Sequence, residues 1–422
     1  MPEGAVTPSP TSRGGLRLRR FLAVFGPGLV VMLADTDVGS VITAGQSGTQ
    51  WGYRLLLLQF ALTPLLYLVQ ELTVRLAVFT GRGHGALIRD IFGPRWAWIA
   101  VTTLGIAAVG ALLTEFSGVA GVGELYGVPR ALSLPIAASV LLVTVLSGSY
   151  RRVERVAIAV GLFELAFFFV AWAAHPKPSA VLAGSLDIPL RNSDFRYLAA
   201  ANIGSVIMPW MIFYQQASIA DKRLGVLDLP AARWDTAAGA VLTQLVMAAV
   251  LVACAATLGR GGPGASLSSV GQIALALTPF LGRTVGRLVF GLGVLGAAMV
   301  AAIVVSLALA WGLGEVTGHR HALERHPLRM RWFCLLYALF VGGSAVGVGV
   351  WPDLISLSVA VQVMNALVLP LVLGLLIALA MRALPPAHRM RGWYLWLVIV
   401  VATLAAACGV IGGLSGIFMS WR

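Results

Sequence analysis

Charged residues are scarce in this 422-residue sequence: they make up 11% of it, whereas hydrophobic residues make up 59%. So few charges would not cover the surface of a soluble protein of this size, which excludes the two or three soluble domains that the length alone suggests. The mean hydropathy of +0.88 and the 48 glycines and 20 prolines are typical of membrane helices. We therefore predict an all-α, polytopic membrane protein with the lipid bilayer as its main solvent.

Cysteine and histidine are also rare, with three and six copies. Cys254, Cys334 and Cys408 lack the spacing of metal ligands and are interpreted as small packing residues. All six histidines lie in loops or at the edges of apolar segments, so no imidazole is expected at the bilayer midplane as a ligand or proton relay. The apolar segments contain no HExxH motif, phosphate-binding glycine loop or Ser/His/Asp set. We therefore expect neither an enzyme nor a bound cofactor.

Basic residues outnumber acidic ones by 30 to 17. They form short clusters between apolar segments, without interleaved aromatic residues, which argues against a nucleic-acid partner. Twenty fall on the side of the N-terminus and nine on the other, with Arg75 inside a span. By the positive-inside rule, the N-terminus is predicted in the cytoplasm and the C-terminus outside the cell.

Residues 1–20 lack a signal-peptide core and are expected to form a disordered basic tail. Nothing indicates an obligate protein partner.

The apolar segments have the length of membrane helices, which need about 20 residues each. Eleven spans are predicted, at 21–48, 54–79, 95–125, 130–149, 153–174, 197–219, 237–259, 284–314, 330–349, 354–381 and 393–418. They belong to one transmembrane domain at 21–420, with a first repeat at 21–174, a second at 197–381 and an additional helix at 393–418.

Spans one and six contain interruptions that ordinary helices lack. The first has Gly26-Pro27-Gly28 near its start and polar residues at 35–40. The sixth has polar and small residues at 202–205, followed by Met208-Pro209. Interruptions five helices apart predict inverted five-helix repeats whose discontinuous helices meet at the midplane. The alternative is that Pro209 only kinks a helix and Gly39 only permits close packing.

Asp35 and Asp37 lie in the first interruption, at a depth where a charge costs at least about 2.5 kcal/mol. On unwound backbone both carboxylates would be able to face one cavity. With the Ser40 hydroxyl and carbonyl groups near Ser205, they would suit a divalent cation. The alternative is that one aspartate caps the second half of the first helix.

Three other acidic residues and one methionine in the spans have less specific interpretations. Glu71 is expected to pair with Arg75, four residues later, and Glu164 is expected to be structural. For Glu115, a place along an ion path and a structural hydrogen bond remain equally open. For Met208, packing and ligation of a metal also remain open.

These motifs resemble the Nramp family of divalent metal transporters over nearly the whole membrane region. The family has Gly-Pro-Gly, Asp-Pro-Gly-Asn and aromatic-Gly-Tyr in its first helix, Ala-x-x-Met-Pro-His with a second His in its sixth, and a Gln in its tenth. The corresponding positions here are Gly26-Pro27-Gly28, Asp37-Val38-Gly39-Ser40, Trp51-Gly52-Tyr53, Ser205-Val206-Ile207-Met208-Pro209-Trp210, Gln215, and Gln362 followed by Pro370. The resemblance implies a LeuT-type fold, an inverted repeat of five plus five helices with one extra helix.

The sequence departs from the family at its functional positions. Ser40 replaces the family's Asn ligand, and Trp210 and Gln215 replace its two sixth-helix histidines. The third-helix Asp-x-x-Glu pair appears as Leu112 and Glu115, with a one-residue gap. Asp35 is an additional carboxylate. This pattern resembles the Nramp-related magnesium transporters, a branch described as carrying Mg²⁺ without coupled protons.

The resemblance and the residues together predict import of Mg²⁺, and also of Mn²⁺, by alternating access. The expected metal site comprises Asp37, Asp35, Ser40, Ser205, Met208 and Gln362, and the expected transport path also includes Glu115, Trp210 and Gln215. A proton-coupled Mn²⁺/Fe²⁺ symporter is the alternative on the same fold. A sodium-coupled amino-acid symporter is less consistent, because two aspartates at the break would repel a substrate carboxylate.

Overall fold

The computed structural model describes residues 27–146, 159, 162–259, 266–318 and 331–419. All regular secondary structure in these ranges is helical. The predicted tail at 1–20, Gly26, and parts of the predicted spans at 130–149 and 153–174 lie outside the described residues.

The helices of the described ranges are numbered here in chain order. They are α1 Pro27–Asp35, α2 Val38–Trp51, α3 Leu56–Thr80, α4 His84–Phe92, α5 Pro94–Leu125, α6 Arg130–Leu146, α7 Ala166–Ala173, α8 Pro178–Leu186, α9 Ser193–Val206, α10 Pro209–Asp221, α11 Leu229–Thr257, α12 Ile273–Leu281, α13 Arg283–Thr317, α14 Arg331–Val350, α15 Leu354–Arg382 and α16 Gly392–Met419. Short 3₁₀ turns lie at Leu162–Leu165, Val226–Asp228 and Val270–Gln272.

Seven helical segments of the described ranges are long and apolar enough to cross a membrane. They are Leu56–Thr80, Pro94–Leu125, Ser193–Asp221, Val226–Thr257, Arg283–Thr317, Leu354–Arg382 and Gly392–Gly416. The other four predicted spans fall on the interrupted pair α1 and α2 and on the shorter apolar helices α6, α7 and α14. The predicted positions of the spans therefore agree with the helices.

Several predicted limits are wrong in detail. The sixth span, predicted at 197–219, consists of two helices. Its interruption lies at Ile207 and Met208, which confirms the Met208-Pro209 part of the predicted break, whereas 202–205 remains helical. Helix α11 begins at Leu229, before the predicted 237, because the proline that follows suits the first turn of a helix. Helices α4, α8 and α12 were not predicted, because each has only nine residues and gives no span-length hydropathy signal.

Local sequence accounts for many of the helix ends. The Asp353 carboxylate caps α15 by accepting hydrogen bonds from the Ile355 and Ser356 amides at 3.0 and 3.1 Å. Asn192 caps α9 in the same way. Helix α3 ends at Gly81, whose φ of 60° is a left-handed conformation that glycine adopts without steric cost. These caps satisfy backbone groups that lipid would leave without partners.

Close backbone packing places the interrupted helices at the centre of the molecule. Helix α11 packs against α1, α2 and α3, and α9 packs between α15 and α16. A Cβ on Gly48 would collide with the Leu251 carbonyl oxygen, so α2 and α11 approach this closely only because residue 48 is glycine. Large apolar side chains remain exposed on the outside, including Trp172 and Trp393 near helix ends, where membrane interfaces favour tryptophan.

Glu71 on α3 is the centre of an ion-pair network. Its carboxylate accepts from Arg75 at 2.7 Å and from Arg233 on α11 at 2.6 Å. The Tyr394 hydroxyl on α16 donates to the same carboxylate at 3.4 Å. The predicted pairing of Glu71 with Arg75 is therefore confirmed, and the network also joins three helices.

Candidate functional site

The first helix is interrupted at two residues. Helix α1 ends at Asp35 and α2 begins at Val38, so Thr36 and Asp37 form the link. Asp37 caps α2, because its Oδ1 accepts from the Ser40 amide at 2.7 Å, but its buried Oδ2 has no hydrogen-bond partner among the residues that the structure describes. In the same part of the chain, both carboxylate oxygens of Asp35, a residue only 1% exposed, also lack a partner. Capping therefore uses one of these four oxygens and leaves three without a partner.

The second interruption separates α9 from α10. Ile207 and Met208 have extended backbone, with ψ values of 96° and 142°, and α10 starts at Pro209. Proline suits this position because the first residues of a helix do not need their N–H groups for helical hydrogen bonds. Met208 is completely buried at the break. The prediction that spans one and six are both discontinuous is confirmed.

Polar side chains join the two interrupted helices. The Ser40 hydroxyl donates to the Ser205 carbonyl oxygen at 3.3 Å. The Asn202 amide donates to the Ser47 hydroxyl at 2.8 Å and accepts from Gln59 at 2.6 Å. The structure therefore brings the predicted site residues of the first and sixth spans together and fixes them through buried hydrogen bonds.

Helix α15 closes a third side of this region. A Cβ on Gly39 would collide with Nε2 of Gln362 and lie 3.2 Å from the Thr114 methyl group of α5. Oε1 of Gln362 accepts from the Asn365 amide at 3.0 Å. Gln362 thus lies directly beside the first break, as the sequence predicted, while Asn365 is a neighbour that sequence reasoning did not identify.

Glu115 on α5 lies close to the same region. Its side chain is 2% exposed, it interacts electrostatically with Asp37, and its Oε2 has no hydrogen-bond partner within the described ranges. Its Oε1 makes a long contact of 3.5 Å with the Thr114 hydroxyl. One oxygen of Glu115 thus makes a structural contact, and the other is left without a partner in the described residues. The place of Glu115 on an ion path stays a prediction.

The residues that replace the family histidines lie on α10. Trp210 is completely buried next to the break, and its Nε1 has no hydrogen-bond partner. Gln215 lies further along the helix and donates to the Thr236 hydroxyl of α11 at 3.0 Å. Gln215 is therefore directed to α11 rather than to the break, and neither side chain titrates in place of a histidine.

Glu164 is a residue whose position the sequence did not reveal. It lies on the 3₁₀ turn Leu162–Leu165, is 5% exposed, and lines a cavity together with Thr36, the residue between the two aspartates. On a helix, an acidic residue is expected to pair with a basic residue three or four positions away. Glu164 has no basic residue at these positions, and this was the only sequence signal of an unusual role. Its approach to the break depends on tertiary packing.

The charge balance of this region is its main electrostatic feature. Within the ranges that the structure describes, no lysine, arginine or histidine forms an ion pair with the four buried acids around the break. These acids are Asp35, Asp37, Glu115 and Glu164. In the same ranges, no three or more His, Cys, Asp or Glu side chains converge as a metal cluster. The donors are therefore spread among carboxylate, hydroxyl, amide and backbone oxygens, a set that hard cations accept together with water.

Comparisons with known proteins identify the family of this chain. The sequence profile described as natural resistance-associated macrophage protein-like (Nramp) matches residues 28–415. A divalent metal cation transporter MntH from Agrobacterium fabrum is 26% identical over 302 residues, which cover 69% of this chain and 65% of that protein. The protein of the same name from Yersinia enterocolitica is 28% identical over 308 residues, which cover 72% of this chain and 74% of its own length.

Solved structures show the same fold. A mutant of the Eremococcus coleocola manganese transporter superposes with a TM-score of 0.73 at 19% identity, over 98% of this chain and 90% of that one. Mhp1, a nucleobase-cation-symport-1 family transporter, superposes with a TM-score of 0.57 at 16% identity, over 94% and 92%. The LeuT-type fold that the resemblance implied is thereby confirmed. The chain is a member of the Nramp family.

Proposed function

We propose that this protein is a divalent metal ion transporter that imports Mg²⁺, and also Mn²⁺, by alternating access at the cell membrane. The observation that carries the proposal is the meeting of two interrupted helices around buried carboxylate oxygens that have no hydrogen-bond partner among the described residues. Ion sites in transporters of this architecture lie where discontinuous helices meet. The proposed ligands are Asp37, Asp35, Ser40, Ser205, Met208 and Gln362.

Electrostatics supports a cation as the substrate. A buried carboxylate without a partner costs several kcal/mol, which a bound cation offsets. Glu71 provides the contrast within the same protein, because two arginines already neutralise it. Asp35 and Asp37 have no such partners in the described part of the chain. An incoming divalent ion would supply the missing positive charge.

The donor types support a hard ion. Mg²⁺ is usually held by one or two carboxylates while it keeps several water molecules. Ser40 is shorter than the Asn expected in the family, which leaves room for such water. Mn²⁺ accepts the same oxygen donors. In this proposal, the thioether of Met208 contributes little to binding of Mg²⁺.

The proposed driving force is the ion gradient together with the membrane potential. A divalent ion that enters the cell gains about 4.6 kcal/mol per 100 mV. In the proposed mechanism protons are not coupled, because Trp210 and Gln215 occupy the positions of the family's histidines and do not titrate. The N-terminus is proposed to lie in the cytoplasm and the C-terminus outside the cell.

Calorimetric titration of purified protein with Mg²⁺ and Mn²⁺ tests the site. Asp37→Asn keeps the shape and the helix cap but removes the charge, and we expect it to weaken binding of both ions by about tenfold or more. Asp353→Asn is the matched control, because Asp353 also caps a helix but lies exposed at the start of α15. Equal affinities for wild type and Asp37→Asn would refute the proposed site.

A proton-coupled Mn²⁺/Fe²⁺ symporter is the second candidate. It is favoured by the names of the relatives and by Met208 at the break, because sulfur ligands suit transition metals better than Mg²⁺. Proteoliposomes that contain a pH-sensitive dye separate the two candidates. Mg²⁺ uptake without internal acidification supports the first, whereas Mn²⁺ uptake with acidification and no Mg²⁺ uptake supports the second.

A further inference from the structure

Glu164 forms a second polar site on the other side of the first break. Its buried Oε1 has no hydrogen-bond partner in the described residues, and Glu164 lines one cavity together with Thr36. The turn that carries it packs closely on α13, where a Cβ on Gly293 would lie 3.0 Å from Cγ of Glu164. The side chain is thus held in place by its neighbours.

A small cavity of about 20 Å³ lies against this carboxylate. Apart from Glu164 and Thr36, its walls are apolar and come from α1, the 3₁₀ turn, α11 and α13. A volume of this size accommodates one water-sized particle and no more. The walls therefore provide space for a single small guest next to an acidic oxygen.

Three residues of this lining carry oxygen atoms that are able to bind a cation. They are Glu164 with its carboxylate, Thr36 with its hydroxyl, and Leu33, whose backbone carbonyl accepts from the Thr36 hydroxyl at 2.7 Å. Leu33 lies in the last turn of α1, where carbonyl groups lack helical partners and the helix dipole is negative. Such half-helix C-terminal ends favour cations.

The charge of Glu164 is not neutralised by protein groups in the described ranges, because none of the ion pairs there includes it. The remaining cavity walls, Leu162, Leu165, Leu242, Val246, Ala297 and Val300, offer no side-chain donor. A buried carboxylate in such surroundings is stabilised by one positive charge placed within contact distance.

We propose that Glu164, Thr36 and the Leu33 carbonyl form a second cation site, which takes one monovalent ion of the size of Na⁺. One carboxylate balances one positive charge, and the cavity excludes a hydrated divalent ion. The site is separate from the proposed divalent site, whose ligands Asp35 and Asp37 flank Thr36, but Glu164 interacts electrostatically with Asp37. Occupation of one site therefore alters the affinity of the other.

Sodium titration of the purified full-length protein tests this site without any divalent ion. NaCl is compared with choline chloride at constant ionic strength, and the midpoint of thermal unfolding is measured for wild type, Glu164→Gln and Thr36→Val. We expect Na⁺, but not choline, to raise the wild-type midpoint, since a ligand that binds the folded state stabilises it. We expect both variants to need about tenfold more Na⁺ for the same shift.

Glu124→Gln is the control, because Glu124 is a surface acid paired with Arg130, and it should keep the wild-type response. A wild type that responds equally to Na⁺ and choline overturns the proposal, as does a Glu164→Gln variant with an unchanged sodium response. If Glu164→Gln does not fold, Thr36→Val gives the decisive result. A separate Mn²⁺ titration should show that Glu164→Gln still binds Mn²⁺. The test of the sodium site is therefore independent of the test of the divalent site.

Discussion

Gly39 on α2 lies so close to Gln362 on α15 that a Cβ at residue 39 would collide with the Gln362 side-chain nitrogen. Gly204 on α9 has a similar relationship with the backbone of α15, where its Cβ would collide with the Gln362 carbonyl oxygen and lie 2.6 Å from the Ala366 amide. Both interrupted spans thus meet α15 at the same residue, but one contact involves a movable side-chain end and the other involves rigid backbone.

This difference predicts opposite consequences for two alanine substitutions. Gly39→Ala should displace the Gln362 amide and weaken Mn²⁺ binding while leaving the unfolding midpoint nearly unchanged. Gly204→Ala should force α9 away from α15 and destabilise the protein by about 1–3 kcal/mol. Calorimetry and thermal unfolding of both variants check this, and a Gly39→Ala variant with wild-type affinity would remove Gln362 from the site.

The Glu71 network predicts a large effect on stability that is independent of transport. Glu71→Ala leaves two arginines near buried surface without their carboxylate partner and should destabilise the protein by about 3 kcal/mol. Glu124→Ala is the matched control, because its pair with Arg130 is partly exposed and should contribute at most about 1 kcal/mol. Denaturation in detergent measures both. Equal losses in the two variants would contradict the buried role of Glu71.

His84 predicts a dependence of stability on pH. It starts α4, outside the spans, and its Nδ1 donates to the Gln216 side-chain oxygen at 2.9 Å. Burial lowers the pKa of His84 from 6.5 to about 4, with a smaller opposing effect of the Gln216 hydrogen bond. As the pH falls, His84 is protonated in the unfolded chain at a higher pH than in the folded protein. The free energy of unfolding should therefore be highest above about pH 6.5 and decrease as the pH falls towards 4.

The loss at pH 4 should be on the order of 3 kcal/mol, since the folded state must keep the imidazole neutral or bear the cost of burying its charge. His84→Gln removes the titrating group and should flatten the dependence of the unfolding midpoint on pH between 6.5 and 4. Identical pH profiles for wild type and His84→Gln would show that other groups cause the acid sensitivity.

The charge bias of the loops predicts the orientation of the protein in the membrane. Leu227, between α10 and α11, should face the cytoplasm, and Leu186, at the end of α8, should face outwards. Both side chains are well exposed, at 80% and 65%. In a variant without native cysteines, Leu186→Cys should react with an impermeant maleimide on intact cells and Leu227→Cys only after permeabilisation. The reverse pattern would invert the proposed topology.

The sequence predicted the discontinuous helices because their causes are local. An aspartate that caps a helix, as Asp37 does through the Ser40 amide, and a proline that starts one act within a single helical turn, and both can be recognised without knowledge of the fold. The pairing of Glu71 with Arg75 was predictable for the same reason, because the two residues are one helical turn apart. The second break was predicted only in part, since Met208-Pro209 lies at it but the polar 202–205 segment remains helical within α9.

Contacts between distant elements were beyond the sequence. The hydrogen bond of Asn365 with Gln362 and the direction of Gln215 towards α11 depend on how helices rotate against one another. The position of Glu164 is the clearest case, because its short turn reaches Thr36 only after α13 packs on it. No local periodicity encodes such a contact.

The amino-acid sequence by itself determined that this chain lies in lipid, that its first and sixth spans are broken, and that acidic residues lie at the first break. These properties follow from composition and from interactions between residues near one another in the chain. Tertiary structure alone decided which oxygen atoms meet at that break and which carboxylates remain without a positive partner. Those outcomes depend on the packing of helices separated by a hundred or more residues, where the loss of water makes each unpaired polar atom costly.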